Sequence, residues 1–145
     1  GPAAGRKLAH AAYALEAGLA ATDYRSAMAM LRTRMRARSL FVVFTHLLDA
    51  RSANELAASV KGLLPQHVPL CVLLRDAEIE SLALQPPRGV RDLYVRAAAA
   101  ETLGWRDALV RQLQKIGALV LDATPEELTP SLVRTYLDVK TRRIL

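Results

Sequence analysis

Apolar positions recur along this chain in two rhythms, one helical and one continuous, and their alternation lays out the elements. Leu8, Ala12, Leu15 and Leu19 share a helical stripe, so residues 6–20 are predicted to form a helix with that stripe inward. A second helix is expected to start at Thr22-Asp23, either of which can cap it. It should run to Arg36 with Ala27, Met30, Leu31 and Met35 inward. Leu40-Phe41-Val42-Val43-Phe44-Thr45 then breaks the rhythm with an unbroken β-prone apolar run, the mark of a strand covered on both faces. Ser52-Ala53-Asn54-Glu55 has the spacing of a capping box. It predicts a helix that buries Leu56, Val60, Leu63 and Leu64 and is stopped by Pro65.

Residues 69–74 are a second buried strand, and Asp76 to Leu84 is a short stretch of mixed polarity. Gln85-Pro86-Pro87-Arg88-Gly89 is a loop. A long helix follows over 90–116, with Leu93, Tyr94, Ala97, Leu109, Leu113 and Ile116 recurring at helical spacing, a bend at Gly104 and Gly117 at its C-cap. Ala118-Leu119-Val120-Leu121 is a third strand. Thr129 as N-cap and Pro130 at the first helical position predict a last helix with Leu132, Val133, Tyr136 and Leu137 inward. Strands that alternate with helices three times imply an α/β fold: a parallel three-stranded sheet, right-handed crossovers, and helices on both faces.

Composition adds limits. The 145 residues suit one domain, and a hydrophobic fraction of 52% against 23% charged residues argues against disorder. No apolar run approaches the roughly 18 residues of a membrane span, and the first residues lack the apolar core of a secretory signal. Gly1-Pro2 has the form of a scar left by a tag-cleaving protease, so residues 1–5 are read as remnant or linker. The lone cysteine, Cys71, sits in an apolar strand, where core packing is the expected role. Without a disulfide framework the composition fits a reducing, cytoplasmic compartment. A net charge of +6 admits nucleic acid, an anionic membrane surface or an acidic protein as partner, and does not choose among them.

Ligands of open parallel sheets bind beyond the carboxyl ends of the strands. Those ends supply Thr45, His46 and Asp49, then Arg75 and Asp76, then Asp122. Carboxylates clustered there can hold Mg²⁺, or each Asp can simply cap the turn or helix that follows. His10, His46 and His67 lack metal-ligand spacing. Phosphate-loop and nucleophile-elbow motifs are absent from the sequence, so neither a cofactor nor a catalytic residue is expected. The strongest charge feature is the basic patch Arg32, Arg34, Arg36 and Arg38, able to grip phosphates or to stay solvated at a helix C-terminus. Aromatic stacking partners are missing nearby, so nucleic acid is the weaker reading.

Four stretches in order carry a resemblance: Arg38 to Asp49, Leu70 to Asp76, Pro86-Pro87 followed by Asp92-Leu93-Tyr94, and Asp122 to Pro130 with Tyr136-Leu137-Asp138-Val139-Lys140. From about Gly5 onward the chain resembles the C-terminal half of the domain-of-unknown-function family number fifty-eight. These are bacterial von Willebrand factor A-like proteins usually encoded beside a MoxR-type AAA ATPase. The resemblance implies a Rossmann-like sheet with a metal-ion-dependent adhesion site. Thr22 falls near the site's second element, and His46, after Thr45, falls where the family usually has its third-element Asp. The site is therefore expected to be degenerate, with no metal held. Asp49 or Asp76 would substitute if the parent's N-terminal half completed a Mg²⁺-dependent ligand-binding domain. A membrane anchor is implied for the parent, with this domain facing the cytosol. The function implied is a non-catalytic protein-interaction module working with the ATPase.

In a von Willebrand A-like sheet the strand at 40–45 would be central and pair with the domain's first strand, which this chain does not include. Its free edge, and apolar surface from Leu40, Phe41, Val43 and Phe44, are then expected to make the fragment a homodimer, by strand pairing or by exchange of N-terminal helices.

Overall fold

The computed structural model describes residues 2–16, 18, 22–46, 50–64 and 66–142. Its elements in chain order are α1 (Pro2–Tyr13), α2 (Tyr24–Arg34), β1 (Leu40–Thr45), α3 (Ala50–Lys61), β2 (Val68–Leu74), α4 (Ala77–Leu84), α5 (Val90–Lys115), β3 (Leu119–Ala123) and α6 (Pro125–Thr141). The fold is α/β, with one parallel sheet in the order β1-β2-β3. Among the described residues, no helix is long and apolar enough to cross a membrane.

The register fixes which side chains share a face. Val43 lies opposite Cys71 and Cys71 opposite Val120, while Thr45, Leu73 and Asp122 form the next row. On this face α3 and α5 close over the strands, and Leu56, Val60, Leu109 and Leu113 join Cys71 and Leu73 in one buried cluster. Tyr24 brings α2 into the same layer, its hydroxyl 2.7 Å from Thr45 Oγ1. The opposite face presents Val42 and Phe44 of β1, Leu70 and Val72 of β2, and Leu119 and Leu121 of β3, since side chains alternate along a strand. There α6 packs on β3, with Val139 buried outside the first cluster. Helices thus flank both faces, but unequally: three on one side, one on the other.

Local chemistry explains where elements begin. Asp23 caps α2, its Oδ1 accepting the Ser26 N–H at 2.9 Å. Hydrogen bonds from Ser26, side chain first and backbone second, hold the Asp23 carboxyl below its ordinary value. At the other end of the fold, Gly117 follows the C-cap of α5 with φ at +92°, a left-handed conformation that glycine adopts without strain.

Several elements depart from expectation. The last helix starts at Pro125, not after Thr129. Thr124 and Glu127 form a reciprocal capping box, each accepting from the other's backbone at 3.4 Å, with Pro125 in the first turn. Two satisfied donors and two acidic residues at the positive end of the helix dipole favour that earlier start, and Pro130 lies within the helix. Ser52 likewise lies inside α3 and not at its N-cap, with Glu55 3.2 Å from Arg51. Asp76 to Leu84, unassigned from sequence, holds α4, capped by Asp76, whose Oδ1 accepts the Glu78 N–H at 2.9 Å. The third strand is shifted to Leu119–Ala123.

The inward stripes also need correction. In α1, which takes in residues 2–5, every described side chain is exposed, Ala12 among them, and Leu15 just beyond it is exposed too, while Leu19 and the side chain of Leu8 lie outside the described residues. In α2 the buried residues are Tyr24 and Met28; Met30 and Met35 are exposed. The first turns of α5 lie beside α4 at the periphery, so Leu93, Tyr94 and Ala97 are exposed and only the second half of that helix reaches the sheet. In α6, Leu132 is half-buried but Val133, Tyr136 and Leu137 face outward.

Candidate functional site

The carboxyl ends of β2 and β3 converge on a rim of charged groups. Asp122, at the end of β3, receives the Arg106 guanidinium from α5 and lies 3.7 Å from Arg75 Nε. Arg75 Nε is also 3.2 Å from Glu80 of α4, without hydrogen-bond alignment, so that pairing is electrostatic. Arg106 Nη2 reaches the Leu73 carbonyl at 3.5 Å as well. Two arginines and two carboxylates therefore tie β2, β3, α4 and α5 together. A cleft of about 480 Å³ lies beside them, lined by His46, Arg75, Asp76, Glu78, Thr124 and Glu126 among others.

The polar groups described at this rim are engaged within the fold. Among the described residues, no group of three or more His, Cys, Asp or Glu is placed to hold a metal. Thr45 points its hydroxyl into the core toward Tyr24, Asp76 caps α4, and Asp122 is occupied by arginine. His46 is exposed at the cleft, whereas Thr22 lines a separate hollow with Asp23, Asn54 and Glu55. The two are not brought together. Asp49 lies outside the described residues. Sequence reasoning missed Arg106, whose position inside a long helix carries no signal of an ion pair. It also missed Tyr24, the first residue of α2, although its place after a capping Asp was a usable cue.

The second feature is apolar. On the α6 side of the sheet, Phe44 is 54% exposed and Val42 38% exposed, unusual for a parallel strand. At ~100° per residue, Tyr136 and Val133 sit on one flank of α6, with Leu137 adjoining. Parallel strands are joined by right-handed crossovers, and α6 packs on β3 directly after it; a helix returning antiparallel there turns that flank toward β1. Strand β1 then forms the floor, and this flank of α6 the wall, of an open apolar groove. The sequence-predicted contact residues are only partly there. Phe44 belongs to the groove, but Val43 packs against the covered cluster, and Phe41 shares its face and meets His67 edge-on at a centroid distance of 4.8 Å. Half-buried Leu40 lies on the groove side of the strand. Val42 is the residue that the unbroken apolar run concealed.

Compared with known proteins, the chain matches no family model, no curated protein and no solved structure.

The basic patch is solvent-facing: Arg32, Arg34, Arg36 and Arg38 are all exposed, the first two in the last turn of α2. Replacing Arg34 and Arg36 together with Ala is expected to change folding stability by less than about 0.5 kcal/mol per site. A fall of several degrees in Tm would show that these side chains pair or pack within the fold.

Cys71 is fully buried in β2, and desolvation pushes its thiol up to about 11 from 9.0. A thiol raised in the folded state contributes stability below pH 9, and that contribution is lost as pH climbs toward 11. At pH 8 the native protein should resist a thiol reagent and label only once denatured. Rapid labelling of the native chain would contradict this burial.

Proposed function

We propose that this domain is a non-catalytic protein-interaction module of the von Willebrand factor A-like kind, which docks a helix of a MoxR-type AAA ATPase in the groove between β1 and α6. The observation that carries the reading is the open apolar face formed by Val42, Phe44, Val133 and Tyr136. Apolar surface left exposed beside a well-covered core marks interaction sites, and a strand floor with a helical wall suits an amphipathic helix. The choice of ATPase rests on the sequence resemblance. The polar groups near the strand ends support a non-catalytic role, because Thr45, Asp76 and Asp122 already have partners within the fold.

Titration of this domain with a MoxR-type AAA ATPase tests the reading. Phe44→Glu should weaken binding at least tenfold while leaving the circular dichroism spectrum unchanged. Equal affinity for both forms, or no binding by the wild type, would overturn it.

A further inference from the structure

Among the described residues, one helix buries none of its described side chains, and the open groove beside α6 holds no helix. Helix α1 has twelve residues, and every described side chain on it is exposed. Isolated helices of that length are marginal in water and depend on tertiary packing. Its sequence is nevertheless amphipathic: Ala4, Leu8, Ala11 and Ala12 recur at the spacing of one helical stripe, which Leu15 continues just past the helix, with Arg6 and His10 opposite. Three positions of that stripe, Ala4, Ala11 and Ala12, are alanines, which allow a close approach.

The groove matches this helix in size. Twelve helical residues extend ~18 Å, close to the ~20 Å of six-residue β1. From β3, over which α6 lies, β1 is two strand spacings away, ~9.6 Å. That equals the usual 8–10 Å between packed helices, so the position over β1 accepts one helix alongside α6. Phe44 and Val42 would meet its stripe from below and Tyr136 and Val133 from the side.

We infer that in the free protein this groove is filled by α1 of a second copy, reciprocally, giving a two-fold dimer by helix exchange. The inference rests on the reading of the groove as a helix-docking surface and names its resting occupant, which the heterologous partner would displace. The second copy is chosen because α1 stands away from its own fold. Reciprocal exchange also buries both grooves at once with no new surface.

Light scattering of the full chain at micromolar concentration should give twice the 15.9 kDa chain mass. Ala12→Glu combined with Leu15→Glu should return it to a single chain mass, and so should Phe44→Glu. Arg6→Glu, on the opposite side of α1, should remain dimeric. Cysteines introduced at Ala12 and Val42 should form disulfides between mass-tagged copies. A monomeric wild type overturns the inference, whether α1 is free or folded back on its own groove. A dimer that survives the α1 changes also overturns it and points to pairing of β1 edges. In either case ATPase binding that still depends on Phe44 would leave the docking surface standing, so the two failures can be told apart.

Discussion

Leu113→Ala is expected to cost about 2–5 kcal/mol, the range for emptying a fully buried leucine site, whereas Leu93→Ala on the same helix should cost less than about 0.5 kcal/mol. Both leucines belong to the apolar periodicity of α5, and sequence gives no reason to rank them. The difference comes from what each turn meets. Leu113 is fully buried between the sheet and α3, in the cluster with Leu56, Val60 and Cys71, while Leu93 is 53% exposed beside α4. Chemical denaturation of the two variants checks this. Equal losses would mean that the first half of α5 is packed against something as firmly as the second.

Arg106→Leu is expected to destabilise by roughly 1–3 kcal/mol, the scale of a hydrogen bond to a charged group. The substitution keeps much of the apolar stem and removes the guanidinium, leaving Asp122 facing Arg75 alone at 3.7 Å. Breaking a fully buried pair costs more, but Asp122 retains 29% exposure, so water offsets part of the loss. Arg75→Ala should cost less than about 1 kcal/mol, because Arg75 is 40% exposed and its pairings are screened. Added salt should narrow the gap between wild type and Arg106→Leu. An Arg106→Leu variant as stable as wild type would show that the network positions nothing.

The sheet was the most legible part of the sequence. Three short apolar runs bounded by turn residues located β1, β2 and β3 to within a few residues, because a buried parallel strand needs no polar alternation. That same property hid the faces. In Leu40 to Thr45 every residue but the last is apolar, so nothing distinguishes Val43, which packs in the core, from Val42, which lies on the open side. Only the pairing with β2 and the helices above it separate them. Helix stripes misled where a helix has two unequal halves, as in α5, or stands off the core, as α1 does. The start of α6 was readable in Thr124-Pro125-Glu126-Glu127 and was overridden by the second Thr-Pro pair five residues on. The charged rim was the least legible, since Arg106 and Asp122 lie 16 residues apart and meet only through the crossover from α5 to β3.

The proposed docking surface is tested most directly by NMR on the isotopically labelled domain as an unlabelled MoxR-type ATPase is added. Shift changes and broadening should concentrate at Val42, Phe44, Val133 and Tyr136, with Arg75, Asp122 and Thr124 left unmoved. Changes confined to the charged rim, with the β1–α6 groove silent, would contradict the assignment.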